Sequence, residues 1–173
     1  MKNPRKEKAM AEEYTEKMME QMYKRLYPQL VRWCQKMTSD KRTAEELVQE
    51  AFLRALLHEE IFIGLAESQQ RAWFYRTVKN LYIDSVRRGK WELTAESFLE
   101  TQTDSEISEE MFMVEWGELL MHLPKLEKRI FVLRYLHGYT SKQIGTMLHM
   151  PAGTVRAKLH EARKHLRQAI GNQ

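Results

Sequence analysis

The 173-residue chain has one cysteine, four prolines and seven glycines. The lone Cys34 excludes an intrachain disulfide and fits a reducing compartment. Its plainest role is that of a small apolar packing residue. So few turn formers exclude a loop-rich or many-stranded architecture, and no segment alternates as a strand does. No apolar run approaches the roughly 20 residues that span a bilayer. The basic start, MKNPRKEK, is followed by charged residues rather than the apolar stretch of a secretory leader. These absences predict a cytoplasmic, all-α protein with room for one large or two small domains.

Catalytic signatures are missing too. There is no glycine-rich phosphate loop, nucleophile elbow or paired-carboxylate pattern. His160-Glu161 is followed by His165, five residues after the first histidine. A metalloprotease helix needs a spacing of four to bring both rings to one face. The other histidines have no cysteine at ligand spacing. The expectation is no enzyme activity, no metal, no cofactor and no small-molecule substrate.

Charge is what the chain does have, unevenly placed. Residues 1–91 hold 18 Lys and Arg against 13 Asp and Glu. Residues 92–118 hold none against 9, and residues 119–173 hold 10 against 2. Two basic blocks flank an acidic one, a distribution suited to a polyanion partner, although a charge run is commonly just a solvated face.

Apolar periodicity predicts a helix from 9 to about 38 on Met18, Met22, Leu26, Leu30, Trp33 and Met37, with a kink or restart at Pro28. Thr43 and Glu46 fit a capping box opening a helix from Ala44 to about His58. Ser68 is a plausible N-cap for a helix from Gln69 to about Arg88. The acidic, Ser/Thr-rich stretch 92–110 reads as a flexible linker, with Phe98, Leu99 and Ile107 as isolated apolar residues. Helices follow over Met111–His122 and from Pro124 to about His137. The domains expected are 9–91 and 111–173.

The segment Gly138–Ile170 carries the most specific pattern. Gly138 suits a helix C-cap. Thr140 and Gln143 fit a capping box for a short helix, Ser141–Leu148. Pro151 suits the first position of the next helix. That helix sets Val155, Leu159, Ala162, Leu166 and Ile170 on one stripe and leaves Arg156, Lys158, Arg163, Lys164 and Arg167 off it. This is the layout of a helix-turn-helix whose second helix enters the major groove. An ordinary amphipathic pair has the same stripe, but not the basic excess beside it.

The helix from Gln69 has a basic line of its own, Arg76, Lys79 and Arg87 around Ile83, bordered by Asn80. Trp73, Tyr75 and Tyr82 lie in the same segment. Bases stack on rings while cations hold phosphates, so this mixture suits an unpaired strand. Trp73 and Phe74 read as core; for Tyr82 a core role and a stacking role stay open. A duplex-binding regulator and a helical adaptor protein are the other readings these residues allow.

Three segments in order resemble the two-domain extracytoplasmic-function (ECF) sigma factors of bacterial RNA polymerase. They are TAEELVQEAFLRAL (43–56), RAWFYRTVKNLYIDSVRR (71–88) and LPKLEKRIFVLRYLHGYTSKQIGTMLHMPAGTVRAKLHEARKHLR (123–167). The resemblance implies a region 2 that grips core RNA polymerase and melts the −10 element, and a region 4 that reads the −35 element of promoter DNA. It implies a polymerase-binding surface of Glu46, Leu47, Gln49, Glu50, Phe52 and Arg54. It sets Lys79, Asn80, Asp84, Arg87 and Arg88 near the −10 strand, where Arg76 shares the basic face. Thr154, Arg156, Lys158 and His160 fall on the early turns of the recognition helix, and Ser141, Lys142, Arg163 and Arg167 suit phosphate contacts. An anti-sigma factor, often membrane-bound, is the further partner it implies. His149 stands where the family's turn has glycine, Lys142 and Gly145 replace the usual Glu and Ala, and Glu161 takes an often basic position.

Overall fold

Apolar residues keep one buried stripe along the first helix from Met19 to Met37. In the computed structural model, which describes residues 4–89 and 110–172, α1 runs Pro4–Thr38 and buries Met19, Met22, Leu26, Leu30, Cys34 and Met37. Met18 and Trp33, expected inside, lie at the edge of that stripe. The chain stays helical through Pro28 and does not restart there. Ser39 then turns left-handed at φ 55 and stops the helix.

Asp40, not Thr43, caps α2 (Lys41–Leu56): its Oδ2 accepts the Thr43 N–H at 2.7 Å. The expected Thr43–Glu46 box gives way because the true cap lies three residues upstream, and Glu46 meets Arg42 instead at 3.2 Å. α2 packs on α1 through Ala44, Leu47, Val48, Ala51, Phe52 and Ala55. The three alanines let the backbones approach, and Phe52 fills the gap with its ring 4.3 Å from that of Phe74.

A single 3₁₀ turn (Glu59–Ile61) leads to α3 (Glu67–Arg87). Its N-cap is Ala66 rather than Ser68, and the orphan Ala66 N–H donates to Gln69 Oε1 at 3.0 Å. Trp73 and Phe74 are core, as their spacing predicts. Tyr82 resolves to core as well, its hydroxyl donating to the Met37 carbonyl at 3.1 Å.

The acidic stretch 92–110, with Phe98, Leu99 and Ile107, falls outside the described residues except for Glu110, which begins α4 (110–121). α4 buries Phe112, Trp116, Leu119 and Leu120. α5 (Lys125–Phe131) continues into a π-helical turn, Val132–Leu136. α6 (Ser141–Leu148) starts on the capping box that its sequence predicts: Gln143 N–H donates to Thr140 Oγ1 at 3.2 Å, and Thr140 N–H to Gln143 Oε1 at 2.8 Å. α7 (Ala152–Gly171) begins one residue later than Pro151, which takes the extended N-cap conformation. Ile130, Ile144, Val155 and Leu159 form a small core of their own under the α6–α7 turn.

The main core does not stop at the boundary between the two halves. It runs from Met19 through Trp73 to Trp116, Phe131, Leu136 and Leu166. Trp116 joins them: it stacks on Phe112 at 5.4 Å and donates its Nε1–H to the Gln69 carbonyl at 3.0 Å. Fully burying side chains of this size is worth roughly 1.5–3 kcal/mol each.

Candidate functional site

Three surfaces follow from this packing. The first lies on α2. Glu46, Gln49 and Glu50 are exposed, Arg54 is half-buried, and Leu47 and Phe52 are buried beneath them. Leu47 and Phe52 thus form the floor of the surface rather than its contact layer. Exposed beside them are Leu53 (57%), Leu56 (48%) and Leu57 (76%). Helical spacing predicts Leu56 on the apolar face with Leu47, Val48, Ala51, Phe52 and Ala55; the structure leaves it exposed, and the spacing gives no signal for Leu53 or Leu57. Leu53 and Leu56, with Met19, Tyr23 and Phe52, line an open groove of about 550 Å³ against α1, rimmed by Glu12, Glu16, Glu20 and Glu59. An apolar patch with a polar rim is the anatomy of a protein-binding site.

The second surface is the recognition helix. Thr154, Arg156, His160 and Arg167 are exposed on α7, and Lys142 is exposed on α6 with Ser141 partly so. Lys158 is held at 2.7 Å by Glu161, so the acid at this position draws one expected DNA contact sideways. The turn between the helices is made by His149, left-handed at φ 54 and ψ 45. It closes tightly because Gly145 lacks a side chain: a Cβ there would sit 2.5 Å from the Met150 carbonyl. Behind it, buried Glu127 accepts from His165 Nδ1 or pairs with it at 2.7 Å, tying α5 to α7.

The third surface is α3, and here the structure departs from the sequence reading. Arg87 and Arg88 are exposed and Asp84 is half-exposed, but Arg76, Lys79 and Asn80 are buried. The basic line is not a solvent face. Lys79 points to α1, with Nζ 4.0 Å from Met37 Sδ. Arg76 donates to the Leu136 carbonyl, and Asn80 Nδ2 donates to the Tyr135 carbonyl at 3.1 Å. Arg163, expected on phosphate, is 3.5 Å from Glu60 and donates to Tyr135 Oη at 3.4 Å. Between these partners lies a polar cleft of about 260 Å³ lined by Glu50, Arg54, Asp84 and Arg134 among others. His58 lies in its wall, and burial first, then the Arg163 charge, hold its pKa below the ordinary histidine value.

Burial pushes the Cys34 thiol up to about 12, so it is not poised as a thiolate. Among the described residues, no group of three or more His, Cys, Asp or Glu is placed to hold a metal ion. No described helix is long and apolar enough to cross a membrane.

A helix with an exposed apolar strip in one half and a basic helix-turn-helix in the other define a two-part DNA-binding protein. Residues 22–92 match the sigma-70 region 2 family, and residues 113–166 match sigma-70 region 4. The chain is 30% identical over 146 residues to the ECF RNA polymerase sigma factor SigL of Mycobacterium tuberculosis, covering 82% of each protein. It is 28% identical over 152 residues to SigW of Bacillus subtilis, covering 79% of this chain and 80% of that one. With SigM of the same organism it shares 25% over 154 residues, 86% of this chain and 93% of the other. The chain belongs to the ECF family of RNA polymerase sigma factors, which are transcription initiation factors rather than catalysts.

Proposed function

We propose that this sigma factor grips core RNA polymerase through α2, reads the −35 duplex with α7 and holds the melted −10 strand along α3. The observation that carries the reading is the exposed leucine strip on α2 in a chain that also presents an exposed basic recognition helix. Glu46, Gln49, Glu50 and Arg54 ring the strip and set its register on the partner. On α7, Arg156 is placed to bond a guanine edge, and Arg167 and Lys142 to hold phosphates. On α3, Arg87 and Arg88 take backbone phosphates, and Asn80 offers the amide that a flipped base needs. No bond is made or broken: interactions with the held strand offset the lost stacking.

Replacing Leu53 and Leu56 by Glu is expected to weaken core binding by at least about 2 kcal/mol, the scale of an interface hot spot. Because both are exposed, thermal stability should hardly change. A titration of labelled core against parent and variant reads this; equal affinity would remove α2 from the interface. Three exposed leucines on the free protein also need a cover in the cytoplasm. An anti-sigma protein occupying α2 supplies one and must compete with core, so a complex holding both partners at once would contradict it.

A further inference from the structure

We propose that the forward part of α1 and the leucine strip of α2 form one docking groove, whose occupant is a basic amphipathic helix of a regulatory protein. This inference rests on the α2 reading above and names the chemistry of the partner that competes there with core polymerase.

The region 2 match begins at residue 22, but α1 begins at Pro4. Over residues 4–18 the helix buries only Thr15, so this part of it is not spent on the core. Helical spacing puts Glu12, Glu16 and Glu20 on one line, beside Met19 and Tyr23. Phe52, Leu53 and Leu56 of α2 lie across from them, and the space between is the open groove of about 550 Å³. Its floor is preformed: the Tyr23 ring stacks on Tyr27 at 4.6 Å and meets the edge of Phe52 at 4.9 Å. At 1.5 Å per residue, the wall from Glu12 to Tyr23 is about 17 Å long, room for about three turns of a partner helix. A helix held in such a groove anchors through apolar residues at i, i+3, i+4 and i+7.

Charge at the rim decides which helix. Glu12, Glu16, Glu20 and Glu59 line the groove, and no lysine or arginine does. Glu12 is 3.7 Å from Lys8 and Glu20 is 2.5 Å from Lys24, all four on exposed side chains. Exposed pairs of this kind contribute little and give way to a partner's cations. Glu16 and Glu59 have no cation partner among the described residues. This rim repels nucleic acid. It also repels residues 92–118 of the chain itself, with 9 acids and no base. A second copy in two-fold pairing would set glutamates against glutamates. Lysines and arginines flanking a leucine-type stripe are what the groove complements. Because that helix covers Leu53 and Leu56, it excludes core, and the acids of α1 choose the occupant.

The full-length chain is titrated with two labelled helical peptides that share one leucine stripe and carry either lysines or glutamates beside it. The lysine peptide is expected to bind at least about tenfold tighter at low salt, a gap that narrows as salt rises. Glu12→Gln, Glu16→Gln and Glu20→Gln together keep side-chain length and helix propensity. The triple variant is expected to lose most of that gap while its affinity for core stays within about twofold of the parent's. Excess core is expected to displace the peptide. Equal binding of the two peptides, or no effect of the triple substitution, overturns the proposal, as does a complex holding peptide and core together. If core affinity falls along with the peptide's in the triple variant, the acids belong to the polymerase contact and the regulatory occupant is overturned. Leu53→Glu with Leu56→Glu tests the reading beneath: if it weakens binding of neither peptide nor core, the α2 interface itself falls.

Discussion

His149 shows how one backbone conformation records a substitution. Its φ of 54 belongs to the left-handed region, where glycine is the common helix-ending residue. A side chain there costs about 1 kcal/mol or somewhat more. His149→Gly is therefore expected to stabilise the protein by about 1 kcal/mol, read as a higher denaturation midpoint. Gly145→Ala should lower the midpoint, because its methyl would strike the Met150 carbonyl. A glycine variant less stable than its parent would contradict the strain. The sequence shows the unusual histidine but not its outcome. The turn keeps its tight geometry, and the neighbouring Gly145 gives the following chain room to pass.

At the scale of the element, the proposed reading gives α7 two kinds of DNA contact. Arg156 lies on an early turn and Arg167 near the end, both exposed. Removing Arg156 is expected to cost about 1–3 kcal/mol and to relax preference at one base pair. Removing Arg167 should weaken all sequences alike and reduce the salt slope by about one. Binding of polymerase holoenzyme to a set of −35 variants at several salt concentrations distinguishes them. Uniform loss for Arg156→Ala would take it off the bases. The elements themselves were largely legible, since helix periodicity is local. The Thr140–Gln143 box is found where its spacing predicts it. Thr43–Glu46 has equal spacing and fails, because Ser39 ends α1 just before Asp40 and decides where α2 begins. Capping signals compete, and the neighbouring helix selects among them.

For the whole molecule, periodicity says which face is apolar but not what covers it. Arg76, Lys79 and Asn80 look like solvent-facing polar residues in sequence, as such residues usually are. Their burial depends on partners far along the chain, among them the Tyr135 carbonyl that Asn80 reaches and the Leu136 carbonyl bound by Arg76. The recognition helix was legible because its exposure and its stripe are properties of α7 alone. The seam between the halves was not, since neither half contains the information by itself. Charge misled in the same way at Arg163, which serves Glu60 rather than phosphate in this arrangement.

In vitro transcription tests the central claim most directly: purified core polymerase on a pool of genomic fragments, with and without this protein. The account predicts protein-dependent transcripts from a small set of start sites sharing −35 and −10 sequences. Absence of such transcripts, with the protein shifting duplex DNA on its own, would contradict it and establish a conventional helix-turn-helix regulator instead.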